Sequence, residues 1–137
     1  MIPHILLVDD DRAALYALTE VLSDLPVRIV LAESGEEALR QVLKQEFAVI
    51  LLDVRLPNMD GFEVAAAIRS LGRLRRTPII FMSANEDRRK NPRPCAHEHY
   101  FRKPLAPDAV RAKLLSFLPP LHAVADLQHT QTQDRVQ

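Results

Sequence analysis

Three short runs, residues 5–8 (ILLV), 48–52 (AVILL) and 78–82 (PIIFM), are apolar from end to end, and the residues that follow them are Asp9, Asp53 and Ser83. A strand with one wet face alternates apolar and polar side chains; a strand covered on both faces does not. These runs therefore predict central strands of a sheet enclosed by helices, each delivering a polar group at its carboxyl end. Two weaker strands are expected at residues 27–31 and 99–102, the second running into Lys103 and Pro104.

The intervening stretches carry helical spacing. Leu15, Leu18, Leu22 and Leu25 form one stripe behind Asp11 as N-cap, ended by Pro26. Ser34 and Glu37 make a capping box for a second helix with Ala38, Leu39, Val42 and Leu43 on its apolar face. The turn-forming LPNMDG (56–61) precedes a third stripe, Phe62, Ala65, Ile68 and Leu71. Val110, Leu114 and Phe117 mark a last helix, opened by Pro107 and closed by Pro119 and Pro120. Five strands alternating with helices imply one α/β domain with a parallel sheet and helices on both faces. Between Ala84 and His97 the pattern breaks. Pro92 and Pro94 and a lack of apolar residues predict a fourth helix that is short, irregular or missing.

The 137 residues suit one core, expected over residues 1–118, with 119–137 as a polar tail or the start of a linker. Eighteen Lys and Arg balance eighteen Asp and Glu, so bulk charge selects neither nucleic acid nor membrane as partner. The basic residues Arg73, Arg75, Arg76, Arg88, Arg89 and Lys90 lack interleaved aromatics and read as a solvated face. A lone Cys95, no leader ahead of Ile5 and no long apolar run make a cytoplasmic location the expectation.

Ligands of an open parallel sheet bind beyond the carboxyl ends of its strands. Here those ends carry Asp9 and Asp10, Asp53, Ser83 and Lys103. Two carboxylates ~4 Å apart repel by about 4 kcal/mol at an effective dielectric of ~20. Three converging acids thus call for a cation, and oxygen-only donors suit Mg²⁺ (or Mn²⁺) better than Zn²⁺. With Lys103 as fixed positive charge and Ser83 as hydroxyl, such a site is suited to a phosphoryl group, with Asp53 as nucleophile. The alternating Cys95, His97 and His99 suggest a zinc cluster, but no fourth ligand is evident.

The segments ILLVDDD, VILLDVRLPNMDG, PIIFMSA and YFRKPL, in this order, resemble the receiver domain of two-component response regulators, from about residue 5 to 118. The resemblance implies a flavodoxin-like sheet of order 2-1-3-4-5 and phosphorylation of Asp53 by a histidine kinase or phosphotransfer protein. It implies metal contacts from Asp10, from Asp9 through water and from the Arg55 carbonyl, phosphoryl contacts from Ser83 and Lys103, and Tyr100 as aromatic switch. Lys103–Pro104 would be cis. Arg55 and Asn85, two past the acceptor and two past Ser83, would tune phosphoryl lifetime. The family's fourth-helix face commonly serves output or dimerisation, so a phosphorylation-dependent dimer is compatible, while the output partner stays unnamed. The expected protein is a switch rather than a turnover enzyme. A receiver-like interaction module acting without phosphorylation is the alternative. A phosphohydrolase is disfavoured because Arg55 stands where a second acid would serve as general acid.

Overall fold

A computed structural model describes residues 2–84 and 97–118. The strands are β1 (His4–Val8), β2 (Arg28–Ala32), β3 (Val49–Asp53), β4 (Ile79–Ser83) and β5 (Glu98–Arg102). They form one sheet in the order β2-β1-β3-β4-β5, with every pair parallel. The helices are α1 (Arg12–Val21), α2 (Gly35–Lys44), α3 (Gly61–Ser70) and α4 (Pro107–Ser116). The three apolar runs become the interior strands β1, β3 and β4, and their side chains divide between two cores. Leu6, Val8, Ile50, Leu52, Ile79 and Phe81 pack under α2 and α3. Ile5, Leu7, Val49, Leu51, Ile80 and Met82 pack under α1 and α4.

Local chemistry sets the helix boundaries. Asp11 caps α1, accepting from the Ala13 N–H at 2.9 Å; all four leucines of the stripe are buried, but the helix ends at Val21, so that Leu22 is its C-cap and Leu25 lies beyond it. Ser34 caps α2 by accepting from the Glu37 N–H at 3.1 Å, but the Glu37 carboxylate accepts from Glu33, one residue before the cap. The reciprocal box forms instead at α3, between Asp60 and Glu63, at 2.9 and 3.0 Å. On α2 the buried stripe is Gly35, Ala38 and Val42. The expectation that Leu43 shares it fails: Leu43 is 64% exposed, because it lies one step (~100°) round the helix from Val42, at the edge of the stripe. The segment expected to hold a short or missing fourth helix lies outside the described residues, as do the C-terminal tail and the paired prolines.

Two arginines tie the periphery down. Arg69, at the end of α3, donates to the carbonyls of Leu74, Thr77 and His97 at 3.0, 2.5 and 3.2 Å and pairs with Glu98 at 3.4 Å. Arg111 of α4 donates to the Val21 carbonyl at 2.9 Å and grips both carboxylate oxygens of Asp24. It thereby closes the end of α1 against α4.

The N-terminus of α3 is pressed onto the end of β3. A Cβ on Gly61 would stand 2.4 Å from the Asp53 carbonyl oxygen and 2.8 Å from the Val54 Cα, both backbone atoms that cannot yield without moving β3. The Gly61 N–H donates to the Val54 carbonyl at 2.8 Å across the same contact. Gly61→Ala should therefore cost about 1–3 kcal/mol, the usual range for overpacking. Urea unfolding of the two proteins measures it, and an unchanged midpoint would count against this contact.

Candidate functional site

Asp9 follows β1 directly and Asp53 is the last residue of β3, so both stand at the point where the order of strands reverses. Both are buried, at 1% and 5% exposure, whereas Asp10 is exposed. Oxygens from these three acids lie within 4.8 Å of one another. Lys103, just beyond β5, reaches across the end of β4 to both buried acids. Its Nζ donates to Asp53 Oδ2 at 3.1 Å and to Asp9 Oδ2 at 3.2 Å. The other oxygens are held by backbone: Asp53 Oδ1 accepts from Arg55 N–H at 3.1 Å and Asp9 Oδ1 from Asp11 N–H at 3.0 Å. Each buried acid is thus fixed by the amide two residues on and by one shared ammonium.

The charges are unevenly matched. Burial, and then the neighbouring Asp9 carboxylate, raise the Asp53 acid to about 6. Lys103 and the Arg55 N–H pull the other way without prevailing. Burial works against the Lys103 ammonium, but Asp53 and Asp9 outweigh it and hold its pKa above the ordinary lysine value. With all groups ionised, three carboxylates face one ammonium. The donor set is oxygen only and one member faces solvent, which fits a hard, partly hydrated divalent cation.

The remaining candidates fall around this centre. Ser83, 3% exposed, ends β4, and its carbonyl accepts the Lys103 N–H at 2.8 Å. The Lys103–Pro104 bond is cis. Tyr100 is half-buried in β5 and stacks on Phe81 at 5.2 Å; Phe81 in turn meets Phe62 edge-on at 4.9 Å. This aromatic row ends beside Gly61, and hence beside the Asp53 backbone. Asn85 and Cys95 lie outside the described residues. His99 packs on Phe117 at 5.1 Å, and among the described residues only the three aspartates form a group of metal-ligating type. The role of the Asp11 amide has no side-chain motif to announce it in sequence. Turn geometry and helix initiation account for Asp60 and Gly61 in sequence; the close approach at Gly61 is the further signal that a glycine at the first helical position carries.

Residues 5–115 match the response regulator receiver domain. The response regulator MprA of Mycobacterium leprae is 34% identical over 84% of this chain and 50% of its own length. The transcriptional regulatory protein AfsQ1 of Streptomyces coelicolor is 41% identical over 62% of this chain and 36% of its own. The chain thus spans half or less of these curated relatives. The receiver domain of the sensor histidine kinase PA1611 of Pseudomonas aeruginosa, solved with magnesium coordinated in its active-site cleft, has a TM-score of 0.77 at 30% identity, covering 85% of this chain and 98% of that one. The chemotaxis response regulator CheY4 of Vibrio cholerae gives 0.77 at 27% identity, over 86% and 100%. With the family pattern extending over nearly all of the sheet and the acidic site inside it, the chain belongs to the response regulator receiver domain family.

Proposed function

We propose that this domain accepts a phosphoryl group on Asp53 from a phosphohistidine donor, a histidine kinase or phosphotransfer protein, and so switches a partner-binding surface. The observation that carries the reading is the single Lys103 ammonium bridging Asp9 and Asp53, with a third acid alongside. Asp9, Asp10, Asp53 and the Arg55 carbonyl would hold Mg²⁺ (or Mn²⁺). Bound there, the ion supplies positive charge beside the phosphoryl oxygens.

An Asp53 carboxylate oxygen forms the new bond to phosphorus. The bond from phosphorus to the donor imidazole nitrogen breaks, and its electron pair returns to the imidazole. The Arg55 N–H keeps the attacking carboxylate in one orientation, since it bonds Oδ1 directly. Lys103 exchanges its Asp53 bond for a phosphoryl oxygen, and the Ser83 hydroxyl donates to another. Pulling Lys103 and Ser83 toward the new group biases β5, where Tyr100 stacks on Phe81. The ring row from Tyr100 to Phe62 supplies a packed route between the phosphorylated strand end and the outer strand. The domain catalyses only the gain and loss of its own phosphoryl group.

Phosphoramidate with Mg²⁺ should add one phosphoryl mass to the wild-type chain and none to Asp53→Asn or to protein held in EDTA. Intact-mass measurement decides, and a gain surviving in Asp53→Asn would sink the assignment.

The raised pKa of Asp53 sets a pH window for the metal. A cation must displace its proton below pH 6, so Mg²⁺ affinity measured by calorimetry should fall up to about tenfold per pH unit below that point and level off above it. The sign for folding is opposite to that of a salt-bridged acid. Without metal, this group favours the fold most below the unfolded pKa near 3.8, and its contribution declines as pH rises toward 6.

Arg55 is exposed two residues past the acceptor, and in this reading its long cationic side chain hinders the water that hydrolyses the acyl phosphate. Arg55→Ala should release phosphate several-fold faster. A rate that is unchanged or slower removes this role.

A further inference from the structure

Strand β2 forms one margin of the sheet and pairs only with β1. Two bonds fix its phase: the Arg28 N–H donates to the Pro3 carbonyl at 2.8 Å, and the Ala32 carbonyl accepts from the Asp9 N–H at 3.1 Å. In a parallel ladder alternate residues bond the same neighbour, so Arg28, Val30 and Ala32 face β1, while the N–H and C=O groups of Ile29 and Leu31 face outward. Among the described residues no partner meets those outward groups. Sheet margins that stay alone are ordinarily blunted by lysine, proline or a bulge. The strand RIVLA has neither lysine nor proline, and its pairing with β1 runs unbroken from Arg28 to Ala32.

The side chains of this margin are apolar as well. Leu31 pairs in register with Leu7, on the α1 side of the sheet, and is 42% exposed. Ile29, two residues back on the same side, is half-buried. Arg12 of α1 binds Glu33 at 3.0 Å, so that flank of the helix looks toward β2. Tyr16, one turn further along the flank, is 68% exposed.

We propose that this margin is a self-association surface, on which two copies of the chain join β2 to β2, antiparallel about a two-fold axis normal to the sheet. The association does not depend on Asp53 being the phosphoacceptor.

Hydrogen-bond register favours a second copy. With Val30 on the axis, Ile29 stands opposite the partner's Leu31, and each such pair exchanges both of its N–H···O=C bonds. An axis at Leu31 would need the Glu33 N–H, which already donates to Glu37 at 2.7 Å. An axis at Ile29 would need the Val27 N–H, which already donates to the Leu25 carbonyl at 2.8 Å. A single register is left that uses outward groups alone. Charge favours it too. Arg28 opens β2 and Glu33 follows it, and both are exposed. Reversing one strand brings the partner's Glu33 within one residue of the position facing Arg28, at each end of the joint. Two parallel copies would instead set Arg28 against Arg28. On the α1 side, the exposed Leu31 is then covered by the partner's Ile29. A joint this short belongs with interfaces below about 1,200 Å², which associate weakly and reversibly.

Sedimentation equilibrium of the full chain from about 5 to about 500 µM should show the average mass rising from one chain toward two. Leu31→Lys sets a charge against the partner's Ile29 at an exposed position, and should raise the dissociation constant about tenfold or more. Cross-linking reads the register. In a Cys95→Ser background, Val30→Cys lies on the axis, where facing Cα atoms of a non-hydrogen-bonded pair are ~4.5 Å apart and within disulfide reach. Oxidation by diamide should join those chains about tenfold faster than chains carrying Arg28→Cys, which faces the partner's Ala32. A single-chain mass at every concentration overturns the proposal and leaves the margin to an extended segment of another protein. A dimer that Leu31→Lys leaves intact, or equal cross-linking at positions 28 and 30, overturns it as well, because the chains then meet elsewhere.

Discussion

One ammonium group holds three strands of this sheet to a common purpose. Lys103 is delivered by β5, yet the acids it binds end β1 and β3, so its side chain spans the top of β4. Taken without it, two buried carboxylates in one pocket would each disfavour the other's ionisation. With it they are drawn to one point, and the cost of enclosing them is offset in part only. Burial first, and then the Asp9 carboxylate, still hold the Asp53 acid at about 6. On the proposed function, a divalent cation would supply the positive charge that a single ammonium leaves short. A fully neutralised ion pair of the same geometry would be a structural bridge and nothing more.

The backbone around this centre is as closely specified as its charges. The Arg55 and Asp11 amides orient the two buried acids from below, and Gly61 lets a helix terminus rest directly on the Asp53 carbonyl. The consequence is a carboxylate with little freedom to turn. One oxygen is committed to an amide that stays put, and the other to an ammonium that is able to change partners. On the proposed function, chemistry and restraint would be divided between the two halves of a single carboxylate.

Much of this was written in short-range pattern. Unbroken apolar runs identified β1, β3 and β4, because only a strand buried on both sides tolerates them, and each run also pointed to the polar residue at its end. Asp11 and Asp60 announced their helices through caps that act within three residues. Long-range ties were not legible. Arg69 finds His97 and Glu98 nearly thirty positions away, and Arg111 finds Val21 ninety positions back. Nothing in the neighbourhood of either arginine distinguishes it from a solvated surface charge. Leu43 escapes its stripe for a related reason: helical spacing shows that an apolar side chain lies near a stripe, but not where the neighbouring sheet ceases to cover it.

The arginine at the end of α3 has an architectural consequence. By collecting the turn carbonyls at Leu74 and Thr77 together with His97 and Glu98, Arg69 fixes the place where the chain re-enters the sheet. From there, five residues of parallel pairing carry Tyr100 and Lys103 to their stations. The geometry of the reactive end is therefore insulated from whatever path residues 85–96 take. The register of β5 against β4, and with it the position of Lys103 beside the two buried acids, is thus set from within the sheet.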